Sequence, residues 1–173
     1  MNTIDILGDE ETLKQITART ISAFVDDSLS SIRSYAFAYA GNLSTVELTA
    51  IKTIPSQCFY ECRNLSNVSF PECSAVYSSA FGYCTNLGMI SLPKCTAIYG
   101  SAFYRCSNLS EIYIGMSTCY LANSSVFSGT GITKTTGAIY FPASRVDYFK
   151  ASTNWNYFSA RIFGYDFENN TPV

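Results

Sequence analysis

The sequence predicts an α/β repeat fold, a right-handed solenoid with a parallel strand ladder, short turns or 3-10 segments, and a helical cap at each end. Two observations support this prediction. Segments that begin at Ile32, Ile54, Val76 and Ile98 align without gaps at a 22-residue period. Each segment also contains an apolar and polar alternation that is typical of a half-buried strand. Such short units stack because one unit cannot bury its apolar face alone.

Recurring residues establish the alignment of the four units. A phenylalanine column contains Phe37, Phe59, Phe81 and Phe103. An asparagine–leucine pair recurs at Asn42–Leu43, Asn64–Leu65, Asn86–Leu87 and Asn108–Leu109. We expect the phenylalanine and leucine columns to form continuous ladders inside the solenoid. Three of the asparagines also belong to glycosylation sequons, but we expect their side chains to bond the turn backbone.

Each unit is predicted to contain one strand and one tight turn. The strand has the pattern L-x-x-I-x-L, for example Leu87–Leu92, and a proline such as Pro71 or Pro93 follows it. Proline cannot donate a ladder hydrogen bond, so the strand ends there, and the segment A-F-x-x-C turns the chain back. Strands of neighbouring coils are expected to pair in parallel, about 4.8 Å apart.

We expect a single domain over residues 1–173. Residues 32–142 are predicted to form about five repeats, and the last is irregular because the spacing from Phe103 to Phe127 grows to 24 residues. Its extra residues, around Gly129–Gly137, are predicted to form a loop.

Both ends of the array are predicted to carry helical caps, which would cover the apolar faces of the terminal coils. Residues 1–31 would form the first cap, with Asp9 as the N-cap of a helix. Residues 143–165 would form the second cap, because apolar residues follow Pro142 with helix-like spacing and proline suits helix starts. Residues 166–173 are predicted to be a frayed polar tail.

The repeat motif L-x-x-I-x-L-P-x-x-x-x-I-x-x-x-A-F-x-x-C resembles the BspA-like leucine-rich repeats, closely from Ile32 to Gly115. The resemblance implies a leucine-rich-repeat solenoid and a role in adhesion or protein interaction. Similar arrays occur in surface proteins of gut and oral bacteria and of some parasitic protists, so the resemblance also implies a cell-surface or extracellular location. The first 20 residues contain four acids where a signal peptide would be basic and then apolar, so we expect no export signal in this sequence.

Composition argues against two classes of partner. The net charge is −2 and the pI is near 5.0, so no overall attraction to nucleic acid is expected. The sequence has no apolar run of the roughly 18 residues that a membrane-spanning helix needs, so we expect no membrane insertion.

The residue inventory predicts a protein that is not an enzyme. The chain has no histidine, which is the usual general base and the commonest metal ligand. We therefore expect no cofactor, no metal site and no catalytic residue. The carboxylates of Asp26, Asp27 and Glu111 remain a formal alternative for acid and base chemistry, although adjacent acids in loops are usually only solvated.

Six of the seven cysteines are interpreted as core residues. These six occupy columns that hold alanine or isoleucine in other units, so we expect buried free thiols. Cβ atoms about 4.8 Å apart in a ladder exceed the roughly 3.8 Å that a disulfide prefers. Cys119 lies outside these columns and receives no assignment.

Binding residues are expected in columns that face solvent, because packing already determines the inward columns. A strand face, expected to be concave, would present Thr45, Glu47, Asn67, Ser69, Met89, Ser91, Glu111, Tyr113 and Tyr140. A tyrosine edge on the turn side would present Tyr39, Tyr60, Tyr83 and Tyr104. Tyrosine combines a rigid apolar ring with a polar tip and suits recognition sites, but it also covers coil edges without any ligand.

Three functions follow as hypotheses. The leading one is a non-catalytic interaction or adhesion module with a protein ligand. A carbohydrate-binding module is the alternative, and it requires exposed, roughly coplanar tyrosine rings in a groove. The third is a structural spacer in a larger surface or phage assembly. Because five coils make a stack only about 25 Å long, weak binding by one copy would need avidity from an oligomer.

Overall fold

A computed structural model of the protein describes residues 22–134 and 136–173. The predicted helix that begins at Asp9 lies outside the described residues. Within the described ranges, no helix is both long and apolar enough to cross a membrane.

The main strands of successive coils pair side by side, as the period predicts. One sheet contains β1 (Ala23–Asp26), β2 (Thr45–Leu48) and β4 (Asn67–Ser69). A second sheet contains β6 (Met89–Leu92), β8 (Glu111–Ile114), β10 (Ala138–Pro142), β11 (Ile162–Asp166) and β12 (Thr171–Pro172). All pairs are parallel except β11 with β12. The predicted parallel strand pairing is confirmed.

Each coil also contains a second, shorter strand that the sequence analysis did not predict. These strands are β3 (Thr53–Ile54), β5 (Ala75–Val76), β7 (Ala97–Ile98) and β9 (Tyr120–Leu121), and they form a parallel sheet of their own. Their second residues are all buried, whereas their first residues are partly or fully exposed. Two residues are too short a run to show alternation, so only the pairing between coils reveals this sheet.

The main strand ladder is interrupted in the middle of the array. β4 and β6 are edge strands of separate sheets, so the predicted single ladder is two sheets. The break coincides with Phe70, which occupies the position of Leu48 and Leu92 in neighbouring coils. The ring centroid of Phe70 lies 5.7 Å from that of Phe59 and 5.9 Å from that of Phe81. A larger side chain therefore fills the core at the coil where pairing stops.

Aromatic and aliphatic ladders fill the interior. Successive rings of the phenylalanine column, from Phe37 to Phe127, have centroids 5.3, 5.3, 5.4 and 5.7 Å apart and lie within 15° of parallel. The leucine column is fully buried at Leu43, Leu65, Leu87 and Leu109. Both predicted ladders are confirmed, and the last phenylalanine stays in the stack despite its longer spacing.

The tight turns require left-handed backbone at two positions four residues apart in each coil. The pairs are Tyr35 and Tyr39, Gln57 and Glu61, Ser79 and Tyr83, and Ser101 and Arg105, with φ between 55° and 64°. This conformation is costly for residues with a Cβ atom. Hydrogen bonds to the next coil hold it, for example from Tyr39 N to the Tyr60 carbonyl oxygen at 2.7 Å.

All seven cysteines are buried free thiols, which confirms the prediction for the six in the repeat columns. The Sγ atoms of Cys62, Cys84 and Cys106 donate to phenylalanine carbonyl oxygens of the preceding coil at 2.9, 3.0 and 2.8 Å. Burial raises the pKa of the Cys62 thiol to about 12, so it stays protonated and able to donate. Cys119 is also buried and lies against Cys95. The 24-residue spacing between these two hid Cys119 from the repeat alignment.

The described ends of the array contain more strand than predicted. Residues 22–31 were expected in a helical cap, but they contain β1, which pairs with β2 at the 22-residue offset. The loop predicted near residues 129–137 contains a 3-10 turn, Gly131–Thr133, and buries Ile132; another 3-10 turn spans Ser124–Phe127. The predicted short 3-10 segments are therefore present.

The C-terminal segment begins as predicted and then departs from the prediction. Pro142 precedes a 3-10 turn (Ala143–Arg145), helix α1 (Val146–Ala151) and a second 3-10 segment (Trp155–Arg161). The cap predicted for 143–165 is wrong in its last four residues, which belong to β11 and pair with β10. The tail predicted for 166–173 contains β12, which pairs with β11. Long-range pairing outweighs the local helical spacing here.

Candidate functional site

The structure brings the predicted strand-face residues into columns but divides them at the sheet break. In the first sheet, Thr45 pairs with Asn67 and Glu47 pairs with Ser69. These four residues form a polar half. In the second sheet, Met89 pairs with Glu111, Ser91 pairs with Tyr113, and Tyr113 pairs with Tyr140. The strand face is therefore polar in the first sheet and becomes aromatic along the second sheet.

An aromatic cluster covers the outward face of the second sheet. We call Tyr113, Tyr140, Phe163 and Tyr165 the aromatic platform. The rings of Tyr113 and Tyr140 stack with centroids 4.6 Å apart and an interplanar angle of 13°. Tyr165 meets Tyr113 edge-on, with centroids 4.9 Å apart at 73°, and Phe163 lies 6.2 Å from Tyr140. Packing within the sheet thus produces a contiguous aromatic surface.

Two platform residues, Phe163 and Tyr165, were missed by the sequence analysis because their segment was assigned to a helix. The signal is present in Ile162–Tyr165, where Ile162 and Gly164 are buried and the two aromatic residues alternate with them. Strand register places Phe163 beside Tyr140. Phe163 is 45% exposed and Met89, also on this face, is 50% exposed. The surface therefore offers apolar area to solvent.

Hydrogen bonds at the rim hold the platform rings in place. The Tyr113 hydroxyl donates to Glu111 Oε2 at 2.9 Å, and the Tyr165 hydroxyl donates to Asn170 Oδ1 at 2.9 Å. Burial, followed by the bond to the Glu111 carboxylate, raises the pKa of Tyr113. The phenol therefore stays neutral at physiological pH. The arrangement is an apolar, pre-ordered surface with a carboxylate at its rim, which suits recognition.

The predicted tyrosine edge exists, but its rings are packed against one another. Tyr39, Tyr60, Tyr83 and Tyr104 follow one another with centroids 5.7, 5.5 and 5.5 Å apart and interplanar angles of 73°, 72° and 77°. The herringbone arises because the tyrosine occupies the second and then the first position after the core phenylalanine in alternate coils. Small Gly82 makes room for the Tyr60 ring, since an added Cβ atom would lie 2.9 Å from it.

This edge does not present the coplanar rings that the carbohydrate hypothesis requires. Arg105 also lies over its end, with Cζ 5.4 Å from the Tyr104 ring centroid and 5.7 Å from that of Tyr83. Neighbouring side chains therefore compete with any ligand for the ring faces. The geometry favours the interpretation that these four tyrosines cover the coil edge.

Two other polar residues from the sequence analysis, Asp26 and Asn64, bond the backbone. The Asp26 carboxylate accepts hydrogen bonds from Ser28 N and Oγ, both at 2.8 Å, and from Leu29 N at 2.9 Å. These bonds lower the pKa of Asp26 and stabilise a turn. Asn64 Nδ2 donates to the Gly41 carbonyl oxygen at 2.6 Å, as expected for a backbone-bonding asparagine. Among the described residues, no three histidine, cysteine or acidic side chains converge as metal ligands.

Comparison with known proteins identifies related repeats. A family model described as "BspA type Leucine rich repeat region (6 copies)" matches residues 15–163. The chain is similar to the crystal structure of a leucine-rich cell surface protein from Faecalibacterium prausnitzii A2-165, with 26% identity and a TM-score of 0.67 over 78% of this chain and 36% of that one. A search of curated proteins gave no match.

A second solved structure shows the same likeness. The chain is similar to a leucine-rich repeat protein from Bacteroides ovatus ATCC 8483, with 25% identity and a TM-score of 0.57 over 66% of this chain and 30% of that one. The chain therefore spans about a third of the length of each of these two structures.

Proposed function

This chain belongs to the BspA-type leucine-rich repeat family, and we propose on that basis that it is a non-catalytic interaction or adhesion module that binds a protein through its aromatic platform. A cell-surface location is part of the proposal. It is supported by the likeness to a protein described as a leucine-rich cell surface protein.

The observation that carries the proposal is the aromatic platform itself. Inward columns are explained by core packing, whereas Tyr113, Tyr140 and Phe163 lie on the outward side of their strands. Aromatic side chains that are already held in place lose little entropy on binding and dominate the energetics of protein interfaces.

The rest of the face suits the periphery of an interface. Glu111 places a negative charge beside the platform, so a partner that offers an apolar side chain next to a lysine or arginine would be complementary. The polar half, with Thr45, Glu47, Asn67 and Ser69, would contribute a hydrated rim. We infer that the aromatic platform supplies most of the affinity and the polar half supplies specificity.

The proposal is tested by screening the purified chain against an array of bacterial and host surface proteins and measuring the affinity of each hit. Phe163→Ala is expected to reduce the affinity for a true partner about tenfold or more, which corresponds to about 1.4 kcal/mol of binding free energy. Glu111→Lys should reduce the affinity for the partner more at low salt than at high salt, because salt screens the interaction of a charge at the rim.

Tyr39→Ala provides the matched control, because Tyr39 is an exposed aromatic residue outside the platform. Circular dichroism would verify that each variant is folded. A partner whose affinity falls equally in Phe163→Ala and Tyr39→Ala would contradict the platform assignment. An array without any saturable hit would favour the structural spacer instead.

A further inference from the structure

A groove separates the short-strand sheet from the C-terminal helical segment, at the far end of the array from β1. Its volume is about 600 Å³, and we call it the cap groove. Its lining includes Thr96, Thr118, Tyr120, Tyr148, Ser152 and Trp155. The aromatic platform belongs to β8, β10 and β11, whereas the strand that lines the cap groove is β9, so the two surfaces are distinct.

Hydrogen bonds join the two walls of the cap groove, the C-terminal segment and the chain around β9, so the groove exists before any ligand binds. The Trp155 Nε1 atom donates to the Cys119 carbonyl oxygen at 2.7 Å. The Asn154 Nδ2 atom donates to the carbonyl oxygens of Leu121 at 2.8 Å and Ala122 at 3.0 Å. A ligand would therefore meet a preformed site and would not have to order it.

The same hydrogen bonds argue against an extended peptide as the occupant. β9 is an edge strand of the short-strand sheet, and a peptide that extended this sheet would need its free backbone acceptors. The carbonyl oxygens of Cys119, Leu121 and Ala122 already accept from Trp155 and Asn154. Strand addition at this edge is blocked.

Two tyrosine rings in the lining of the cap groove are substantially exposed, and each packs against a neighbouring side chain. Tyr120 is 56% exposed and packs on Tyr99 with centroids 5.8 Å apart. Tyr148 is 46% exposed, and the Arg145 Cζ atom lies 4.0 Å from its ring centroid. Arg145 is itself held, because its Nε atom donates to the Ser117 carbonyl oxygen at 2.9 Å. Each ring thus has a supporting neighbour and a surface left for solvent.

The lining is polar but carries no charged side chain. Hydroxyl groups come from Thr96, Thr118, Ser152 and Thr153, in addition to the two tyrosines. The Thr96 and Ser152 hydroxyls already donate to the carbonyl oxygens of Ser74 and Tyr148, so they can only accept from a ligand. The Arg145 guanidinium packs on the Tyr148 ring but is not part of the lining, so the lining residues themselves offer no counter-charge to a charged ligand. Aromatic rings beside hydroxyl groups match a neutral sugar, which offers apolar C–H faces together with hydroxyls. The cap groove is open to solvent, so a sugar would lie along it with one face exposed.

We propose that the cap groove binds a neutral oligosaccharide, with sugar rings packed on Tyr120 and Tyr148. This site is separate from the protein-binding platform and does not depend on it. A glycan site beside a protein site would let one short array engage a glycosylated surface at two points and gain avidity.

The only tryptophan of the chain, Trp155, is buried in the wall of the cap groove, so its emission responds indirectly to occupancy and titration calorimetry measures the same binding independently. The probes are soluble neutral di- and trisaccharides of glucose, galactose, mannose and N-acetylglucosamine. We expect a saturable change in Trp155 emission with at least one of them. Tyr120→Ala and Tyr148→Ala should each weaken that binding about tenfold or more, whereas Tyr120→Phe should retain most of it because the ring remains.

Tyr157→Ala is the matched control, since Tyr157 is 72% exposed on the same C-terminal segment but outside the lining. Its affinity should equal that of the unchanged chain. The proposal is overturned if no probe gives a saturable signal up to about 10 mM, or if folded Tyr120→Ala and Tyr148→Ala bind as tightly as Tyr157→Ala. Phe163→Ala, which tests the platform, should leave glycan binding intact, so the two proposals fail separately.

Discussion

Replacement of Phe81 by alanine should cost the protein a large share of its stability. Phe81 is fully buried, and its ring lies between those of Phe59 and Phe103 at 5.3 and 5.4 Å, with Phe70 as a third neighbour at 5.9 Å. The coils cannot close around the missing ring, because backbone hydrogen bonds between coils fix their spacing. One such bond runs from Phe81 N to the Ala102 carbonyl oxygen at 2.8 Å. A persistent cavity is therefore expected.

The magnitude follows from the contacts that are lost. Truncation of a buried phenylalanine costs about 3–5 kcal/mol when the cavity remains, and aromatic pairs contribute about 0.5–1.5 kcal/mol each beyond their buried area. Because Phe81 loses stacking on both sides, we expect a value in the upper part of that range. The total free energy of unfolding of a domain is only about 5–15 kcal/mol, so the urea concentration at the unfolding midpoint should fall markedly.

Phe163→Ala makes the same chemical change at an exposed position and is the control for this experiment. Urea unfolding followed by circular dichroism would give the free energy of unfolding of both variants. The free energy of unfolding should fall less than half as much in Phe163→Ala as in Phe81→Ala. Equal losses, or a loss below about 1.5 kcal/mol for Phe81→Ala, would refute a rigid ladder and indicate coils that collapse into the cavity.

Three further substitutions test the turns and the surface. Gly82→Ala should destabilise by about 1–3 kcal/mol because its Cβ atom would meet a packed tyrosine ring, whereas Gly88→Ala, with no atom within 4 Å, should be nearly neutral in the same urea assay. Ser79→Gly should stabilise by up to about 1 kcal/mol because its φ is 55°, whereas Ser78→Gly, outside the left-handed positions, should destabilise. Hydrogen bonds from two lysines lower the pKa of Glu72 from 4.5 to about 2, so its contribution to stability is present above pH 4.5 and is lost as the pH falls toward 2. Glu72→Gln should therefore show a smaller fall in melting temperature across that pH window, and an unchanged fall would contradict the pairing.

The repeat itself could be predicted because the interior of a solenoid demands the same residue at the same place in every coil. Phe81 and Leu87 must each match a neighbour about one strand spacing away, so their columns are visible in one sequence. The short-strand sheet left one repeating column, Ile54, Val76 and Ile98, which marks a buried position but cannot show a strand, since two residues per coil form it. The first strand was missed for a related reason: Asp26 stands where the next coil has Leu48, and its polarity hides the register.

The candidate site was predictable only in part. Tyr113 and Tyr140 lie on strands with clear alternation, so their outward orientation could be inferred. Phe163 lies in a segment whose apolar spacing also fits a helix, and pairing with β10, a contact between distant parts of the chain, decides the outcome. The cap groove depends on the packing of Trp155 against the fifth coil, which no local pattern encodes.

Both proposed surfaces lie at the end of the array where the 22-residue period fails, and this has a physical reason. In the regular coils, each side chain meets its counterpart from the next coil, as the herringbone tyrosines show, so the repeat itself satisfies its surface groups. In the irregular fifth coil the spacing from Phe103 to Phe127 is 24 residues, and Tyr120 reaches the short-strand sheet with a shifted offset from Ala97. Near this coil the outward side chains change from short polar residues to the exposed aromatic rings of Tyr120 and Phe163. We therefore infer that in this short array the regular coils act mainly as scaffold and the aromatic residues that supply most of the binding affinity are concentrated in residues 111–165.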